Sequence, residues 1–282
     1  MYPALISVQT LFEHLDDPYW VVLDVRHNLL KPEEGQRLFE QGHIPGAQFA
    51  DLDHDLSGPI IKGKTGRHPL PNPFVLAEKI STWGIGEGIQ VVVYDAFGGA
   101  FAARAWWLLH WLGHPKVAVL EGGWPAWLEA GLPTTPIVQA KNRRPFVVRR
   151  LCTEMVAGIV DVWAAADEGR LLDARTFDRY CGENEIIDPV AGHIPGAISY
   201  PFINSFDSNK SDSVKYFKAT PTLKKELQHY NHPVCYCGSG VTAAHLALSF
   251  VYAGFPMPQI YPGSWSEWIT DPDRGVQTGP QP

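Results

Sequence analysis

Cys237 stands at a position in the sequence where a thiol can act as a nucleophile. It follows a short β-type run, Pro233 to Tyr236, and precedes an apolar helical pattern from Val241 to Tyr252. Backbone N–H groups at the start of a helix lack partners within the helix, and together with the helix dipole they stabilise an anion. A cysteine held there is expected to be partly thiolate at neutral pH. The sequence therefore predicts a nucleophilic cysteine in an anion-binding loop.

The residues of the loop after Cys237 restrict the kind of anion that the loop can bind. Gly238 and Gly240 carry no side chains, which lets backbone N–H groups point inward around a ligand. A cysteine phosphatase loop places an arginine six residues after its cysteine to hold phosphate in a bidentate contact, and Ala243 stands at that position here. The remaining polar groups are the hydroxyls of Ser239 and Thr242. Such an uncharged loop favours a monoanion or a cysteine-bound sulfur over a phosphate dianion.

The other cysteines are interpreted as structural. Cys235 lies inside the predicted strand, where a buried thiol is common. The spacing of Cys235 and Cys237 has no second Cys/His pair nearby, so we expect no zinc site and no other metal. Four cysteines do not form a dense disulfide framework, and a reducing, cytoplasmic location is the expectation.

The composition excludes several classes of protein. The chain has 282 residues, 45% hydrophobic and 19% charged, which is typical of a globular protein of one or two domains. The formal net charge of −7 argues against nucleic acid as a partner. Without a run of 18 apolar residues or a signal-peptide pattern at the start, we expect no membrane partner.

The sequence contains two related halves. Four short blocks recur in the same order about 145 residues apart, a period that indicates domain duplication. The blocks are Val21–Arg26 with Arg170–Arg175, Gly42–Ala47 with Gly192–Ala197, Val92–Asp95 with Val234–Cys237, and Glu121–Trp124 with Pro262–Trp265. The predicted domains are residues 1–135 and 151–282, joined by a linker over 136–150.

Each half alternates strand and helix patterns, which predicts an α/β fold. Strands are expected at Trp20–Val25, Gln90–Tyr94 and Lys116–Leu120, and helices at Ser7–Leu15, Pro73–Trp83, Ala102–Leu112 and Gly123–Ala130. Alternation of this kind implies, in each domain, a mainly parallel sheet with helices on both faces. Sites in such sheets form at the carboxyl ends of strands, where Cys237 and its counterpart Asp95 lie.

These features resemble the tandem-domain rhodanese-type sulfurtransferases. The resemblance rests on the two halves, the two Gly-His-Ile-Pro-Gly turns and the run Cys237-Gly-Ser-Gly-Val-Thr-Ala243, and it covers essentially the whole chain. Within the family, this loop is similar to that of 3-mercaptopyruvate sulfurtransferases, whereas thiosulfate-specific enzymes typically carry Cys-Arg-Lys-Gly-Val-Thr. Tandem rhodanese-like domains are therefore expected, with catalysis in the second, because a carboxylate at Asp95 cannot carry a transferable sulfur.

The resemblance implies sulfur transfer from 3-mercaptopyruvate through a persulfide on Cys237, without a cofactor. The acceptor would be cyanide, a small thiol or a thioredoxin-like protein. Thiosulfate:cyanide sulfur transfer is the alternative, and a cysteine phosphatase, an arsenate reductase or a non-catalytic interaction module are more remote ones.

The resemblance also implies roles for individual residues. Ser239 would pair with His68 and Asp53 to move the proton of the substrate thiol. The backbone of the loop would bind the donor and the persulfide, through residues Gly238, Gly240, Val241 and Thr242.

The substrate carboxylate needs a cation, and the resemblance assigns Arg179 to it. Arg175, one helical turn earlier, is interpreted as half of a structural ion pair. Family members often carry a second arginine nine residues after the first, and Asp188 stands there in this chain. The sequence therefore leaves both 3-mercaptopyruvate and thiosulfate open as the sulfur donor.

Overall fold

The computed structural model describes residues 2–211 and 213–282, which form two compact units. The first unit consists of the residues up to Gly58, Pro71–Cys152 and Asp207–Phe217. The second consists of Pro59–Leu70, Thr153–Phe206 and Lys218–Pro282. Residues 59–70 thus belong to the second unit although they lie far ahead of its other segments in the sequence. No helix among the described residues is long and apolar enough to cross a membrane.

The first unit is built on a parallel sheet flanked by helices. Its strands are β1 (Leu5–Ile6), β2 (Trp20–Asp24), β3 (Gln48–Phe49), β4 (Gln90–Tyr94) and β5 (Val117–Leu120), in the order β1-β5-β4-β2-β3. All their pairings are parallel. The helices are α1 (Val8–Glu13), α2 (Glu34–Gln41), α3 (Pro73–Thr82), α4 (Ala102–Trp111) and α5 (Gly123–Glu129). The side chains of β4 are buried throughout, as expected for an apolar strand covered on both faces.

Local sequence sets several helix starts in this unit. The Ser7 hydroxyl accepts the backbone N–H of Thr10 at 3.1 Å, and the Asn72 side chain accepts that of Phe74 at 2.9 Å. Pro73 follows at the first helical position, where its missing N–H costs nothing. The predicted helix starts at Ser7 and Pro73 are therefore correct to within one residue.

The second unit repeats this architecture. Its strands are β6 (Leu171–Asp173), β7 (Ile198–Ser199), β8 (Val234–Tyr236) and β9 (Gln259–Ile260), paired in parallel in the order β7-β6-β8-β9. Its helices are α6 (Ile159–Asp167), α7 (Phe177–Cys181), α8 (Thr220–Leu227), α9 (Thr242–Tyr252) and α10 (Ser264–Trp268), with 3₁₀ turns at Thr153–Met155 and Phe202–Ser205. The predicted α/β fold of tandem parallel sheets flanked by helices is confirmed.

A buried arginine fixes the Gly-His-Ile-Pro-Gly turn in the first unit. Arg26 donates from Nε to both carboxylate oxygens of Asp24 at 3.0 and 2.9 Å, and from Nη2 to the carbonyl of Gly42 at 2.7 Å. The guanidinium carbon lies 4.5 Å from the ring centroid of Trp124, a cation–π contact. The turn is therefore held to the carboxyl end of β2 by a paired, stacked charge.

The second unit contains the same arrangement. Arg175 donates to Asp173 and, at 2.7 Å, to the carbonyl of Gly192, and its guanidinium carbon lies 4.8 Å from the Trp265 ring centroid. His193 lies within hydrogen-bond distance of the Tyr180 carbonyl, at 2.8 Å from Nδ1. The matching contacts explain why the block with the arginine, the Gly-His-Ile-Pro-Gly turn and the block with the tryptophan recur in both halves of the sequence. In each unit these three blocks have a structural role.

Candidate active site

Cys237 lies directly after β8, at its carboxyl end, and its side chain is buried, with 2% of the residue surface exposed. Its Sγ accepts the backbone N–H of Gly240 at 3.2 Å. The backbone N–H of Cys237 donates to the Ser264 hydroxyl at 3.1 Å, and its carbonyl accepts the N–H of Trp265 at 2.9 Å. Cys237 is therefore fixed by backbone contacts on both sides.

The loop after Cys237 depends on glycine. Gly240 has a φ of +79°, and a Cβ there would lie 2.5 Å from the carbonyl oxygen of Pro262. The Gly238 carbonyl accepts the N–H of Ser266 at 2.9 Å. Val241 is buried, and α9 begins at Thr242. The loop thus curls from β8 into α9 while it remains attached to the start of α10.

Ser264 contacts Cys237 from the neighbouring turn, a role that the sequence reasoning missed. It adopts a φ of +54°, a left-handed conformation that is unfavourable for a residue with a side chain. Its hydroxyl donates to the Tyr261 carbonyl at 2.9 Å while it accepts the Cys237 N–H. The repeat held a signal for this position, because its counterpart in the first half is Gly123, which also has a positive φ of +57°.

Residues 59–70 bring a histidine to the loop within the second unit. His68 Nδ1 lies 2.7 Å from the Ser239 hydroxyl, and both residues are buried. Gly66 packs so closely against the turn before α10 that a Cβ would lie 2.5 Å from the Gly263 carbonyl oxygen. The N–H of Arg67 donates to the Ser266 hydroxyl at 3.1 Å. These contacts fix the backbone next to His68.

Arg179, in the middle of the short helix α7, forms ion pairs with two acidic residues. Its guanidinium donates to Glu185 from Nε at 3.0 Å and from Nη2 at 2.9 Å, and also to Asp188 at 3.1 Å. Glu185 lies 3.6 Å from Nη1 of Arg175 as well. Asp188, which occupies the place of a second arginine in the family, therefore contacts the first one.

Arg67 is the second guanidinium group in this region. It forms an ion pair with Asp188. A Cβ placed on Gly238 would lie 3.0 Å from Nη2 of Arg67 and 3.5 Å from Nη2 of Arg179, so both guanidinium groups lie against the loop. The sequence reasoning gave Arg67 no role, because its partners Ser266 and Asp188 lie far along the chain.

Burial and neighbouring charges shift the pKa values of Arg67 and Cys235 in the second unit. Burial lowers the pKa of Arg67; the electrostatic interaction with Cys237 opposes this effect, and the charge of Arg179 adds to it. Burial raises the pKa of Cys235, and the nearby Cys237 raises it further. Cys235 is fully buried inside the strand, as the sequence predicted, and its raised pKa keeps the thiol neutral.

Asp53 lies in the first unit, in the turn that follows β3. Its N–H donates to the carboxylate of Asp51 at 2.8 Å, and its own carboxylate lies 3.9 Å from His27 Nε2. Its side chain is one-third exposed. The role of Asp53 in a set with His68 and Ser239 stays a prediction.

The loop of the first unit that corresponds to the Cys237 loop binds its own carboxylate. Asp95, completely buried at the end of β4, accepts four backbone N–H groups at 2.7 to 2.9 Å. The donors are the N–H groups of Phe97, Gly99, Phe101 and Ala102. The N–H cradle of this loop is therefore filled by a side chain of the protein, which agrees with a non-nucleophilic first half.

None of the four cysteines forms a disulfide bond. Within residues 2–211 and 213–282, no group of three or more His, Cys, Asp or Glu side chains is placed to hold a metal ion. The chemistry available from the described side chains is that of a buried thiol, a Ser–His pair and two guanidinium groups.

Comparison with known proteins gives the class. A rhodanese-like domain model matches residues 7–130 and again residues 159–271. The chain therefore belongs to the rhodanese-like domain family, with two domains in tandem.

Relatives narrow the class to an enzyme. The chain is 45% identical to a probable 3-mercaptopyruvate sulfurtransferase of Pseudomonas aeruginosa, over 98% of both chains. It is 38% identical to a putative thiosulfate sulfurtransferase, SseB, of Mycobacterium tuberculosis, over 92% of this chain and 90% of the relative. The crystal structure of SseA from Escherichia coli, described as a 3-mercaptopyruvate sulfotransferase, superposes with a TM-score of 0.78 at 29% identity, covering 95% of this chain and all of that one. The chain is accordingly a sulfurtransferase.

Proposed function

We propose that this sulfurtransferase takes sulfur from 3-mercaptopyruvate and passes it on through a persulfide on Cys237. The observation that carries the proposal is the buried thiol at the end of β8, which accepts the Gly240 N–H at 3.2 Å in a loop without charged side chains. Arg179 lies against the same loop and supplies a cation for the carboxylate of the donor. The relatives named for 3-mercaptopyruvate support the choice of donor.

The first half-reaction moves the donor sulfur to the enzyme. The Cys237 thiolate attacks the sulfur of 3-mercaptopyruvate, and an S–S bond forms as the S–C bond breaks. The electron pair of the broken bond passes to carbon 3, where the adjacent carbonyl holds it as an enolate. Protonation of that carbon gives pyruvate, and the sulfur remains on Cys237 as the persulfide.

The Ser239–His68 pair provides the route for the proton. A histidine can accept the proton of the donor thiol and return one to the departing enolate, with the Ser239 hydroxyl as the intermediate contact. The 2.7 Å separation of His68 Nδ1 and Ser239 Oγ suits this transfer. Asp53 is proposed to fix the histidine tautomer, as the family resemblance implies.

The second half-reaction restores the thiolate. A thiol, a thioredoxin-like protein or cyanide attacks the outer sulfur, and the S–S bond breaks with its electron pair on Cys237. The N–H groups of Gly238, Gly240, Val241 and Thr242 stabilise the persulfide anion between the two steps. Four cysteines without a disulfide bond suit a reducing compartment, and the cytoplasm is the proposed location.

The charge balance around the loop favours a monoanionic donor. Arg67 and Arg179 carry two positive charges, and the buried carboxylates of Glu185 and Asp188 carry two negative ones. The cluster is neutral before the donor binds, so a thiosulfate dianion would add two uncompensated charges beside the thiolate, whereas 3-mercaptopyruvate adds one. Thiosulfate remains the alternative donor, because a relative at 38% identity is named for it.

A comparison of the two donors tests the proposal. We expect kcat/KM for 3-mercaptopyruvate to exceed that for thiosulfate at least about tenfold, since one unit of extra charge near a thiolate costs on the order of 1 kcal/mol or more. Arg179→Gln should lower kcat/KM for 3-mercaptopyruvate, whereas Arg143→Gln, an exposed ion-pair residue of the first unit, should not. A large preference for thiosulfate would contradict the proposed donor.

A further inference from the structure

Two guanidinium groups from distant parts of the sequence lie against the nucleophile loop. Arg67 belongs to the segment 59–70 and Arg179 to α7, yet both approach Gly238, with Nη2 atoms 3.0 and 3.5 Å from the position of a Cβ. Gly238 directly follows the nucleophile in the sequence. An anion that reaches Cys237 across Gly238 therefore passes both cations.

The position of Arg67 is fixed by contacts on both its backbone and its side chain. Its N–H donates to the Ser266 hydroxyl, and the neighbouring Gly66 packs against the Gly263 carbonyl. Its guanidinium pairs with Asp188, whose side chain is 2% exposed and also accepts from Arg179. One buried carboxylate thus holds two guanidinium groups side by side.

Arg67 differs from an arginine whose role is only structural. The Arg175 side chain is 1% exposed, and it is bonded to Asp173 and to the Gly192 carbonyl. The Arg67 and Arg179 side chains are 28% and 16% exposed, so each keeps an accessible edge beside the loop. A guanidinium carries five N–H donors in a planar fork that matches a carboxylate. Arg67 and Arg179 together can therefore bind a second carboxylate in addition to that of Asp188.

We propose that Arg67 is a donor-positioning residue, which together with Arg179 binds the carboxylate of the sulfur donor beside Cys237. The group of the donor that this pair recognises is its carboxylate. Asp188 acts through both arginines, because it holds them at the separation that one carboxylate can bridge. This inference rests on the proposed function for the identity of the donor.

Steady-state kinetics separate positioning of the donor from damage to the fold. In a ping-pong reaction, kcat/KM for the donor reports persulfide formation and kcat/KM for cyanide reports its discharge. We expect Arg67→Gln to lower kcat/KM for 3-mercaptopyruvate about 10- to 100-fold, the usual effect of losing a charged hydrogen bond. The value for cyanide, which has no carboxylate, should stay within about threefold. Arg67→Lys keeps the charge without the fork and should recover part of the loss. The control is Arg149→Gln, since Arg149 is 74% exposed and pairs with an exposed Glu87.

A matched pair of alkylating reagents gives a readout that needs no sulfur transfer. Iodoacetate and iodoacetamide both react by displacement of iodide by the thiolate, but only iodoacetate carries a carboxylate. The rates at Cys237 are measured by peptide mass spectrometry and expressed as the rate with iodoacetate divided by the rate with iodoacetamide. We expect this alkylation ratio to fall about tenfold in Arg67→Gln and to stay unchanged in Arg149→Gln.

The two readouts distinguish the possible failures. A ratio of alkylation rates in Arg67→Gln equal to that of the unmodified protein overturns the role of Arg67, and so does an equal loss of kcat/KM for donor and cyanide. If the unmodified protein transfers no sulfur from 3-mercaptopyruvate, the proposed function fails, while the alkylation ratio still decides whether Arg67 attracts a carboxylate to Cys237.

Discussion

At the scale of single residues, the contact between His68 and Ser239 is the most specific feature of the site. The two side chains are 171 positions apart in sequence and 2.7 Å apart in space, in a buried setting. A short contact between groups able to exchange a proton, next to a nucleophile, is what general acid–base catalysis requires.

The first prediction concerns this pair. In the proposed reaction both side chains serve one proton transfer, so His68→Asn and Ser239→Ala should each lower kcat/KM for the donor about 100-fold or more, and the double variant little further. Asp53→Asn belongs to the same series, and a loss comparable to that of His68→Asn would support its predicted role. His54→Asn, at an exposed histidine of the first unit, is the control. Fully additive losses would argue that His68 and Ser239 act independently.

The sequence indicated Cys237 and its loop as a candidate site, but only part of their surroundings. Cys237 was recognisable because β8, the glycines and α9 are contiguous, so local rules describe the loop. Arg67 was not recognisable because its partners are remote: its N–H bonds Ser266, 199 positions away, and its side chain bonds Asp188, 121 positions away. Asp188 was interpreted only as the place of a missing arginine, whereas its carboxylate pairs with both Arg67 and Arg179.

At the scale of elements, the turn between β8 and α9 is set by backbone geometry. Gly240 combines a left-handed φ with a close approach to the Pro262 carbonyl, and its N–H is the group that contacts Cys237 Sγ. A side chain at position 240 must therefore move the backbone N–H of this residue away from Cys237 Sγ.

The second prediction uses a matched pair of glycines. Gly240→Ala should lower the rate of persulfide formation at least about 100-fold, since it combines the left-handed strain with a clash at 2.5 Å. Gly254→Ala has the same strain, at a φ of +87°, but open space around its Cβ, and should cost only about 1 kcal/mol of stability. Equal activities of the two variants in a stopped-flow assay of donor consumption would contradict the role assigned to the loop.

The third prediction concerns the loop of the first unit. Asp95→Asn replaces an oxygen that accepts two N–H groups with an NH₂ group that faces donors. We expect the free energy of unfolding to drop by about 2–4 kcal/mol. Asp16→Asn, at an exposed position of the same unit, should change it by less than about 0.5 kcal/mol in urea unfolding. An equally small effect of Asp95→Asn would mean that the four N–H bonds contribute little.

The regular elements were largely predictable, and the reasons are local. The strand at Gln90–Tyr94 was identified with its observed bounds because it is a continuous apolar run. The helix predicted from Ser7 to Leu15 ends earlier, at Glu13, since the His14 ring lies 2.9 Å from the Thr10 carbonyl and non-helical turns follow. Membership of residues 59–70 in the second unit was not predictable, because it depends on contacts with segments far along the chain.

At the scale of the whole molecule, buried histidines connect stability to pH. Burial lowers the pKa of His27, His114 and His193, and it lowers that of His110 to about 4 from 6.5. Between these two values the unfolded chain takes up a proton at His110 that the folded protein does not. Stability from this residue is therefore complete above pH 6.5 and is lost as the pH falls towards 4.

The fourth prediction follows from this linkage. The free energy of unfolding should decrease by roughly 3 kcal/mol from His110 alone between pH 6.5 and 4, at about 1.4 kcal/mol per unit of pKa shift. His110→Phe removes the titrating group and should flatten the dependence by that amount, as measured by urea unfolding at several pH values. His229→Gln, at an exposed histidine, should leave the slope as it is. If the free energy of unfolding of His110→Phe depends on pH as steeply as that of the unmodified protein, His110 is not a source of the pH dependence.

The fifth prediction tests the central claim, that Cys237 carries the transferred sulfur. The protein is mixed with 3-mercaptopyruvate without an acceptor, and its intact mass and its peptides are measured by mass spectrometry. We predict a gain of one sulfur atom on the peptide containing Cys237, lost again on addition of cyanide. Cys235→Ala should show the same gain, because Cys235 is a buried neutral thiol, and Cys237→Ser should show none. Sulfur retained by Cys237→Ser, or sulfur found on another cysteine, would contradict the account.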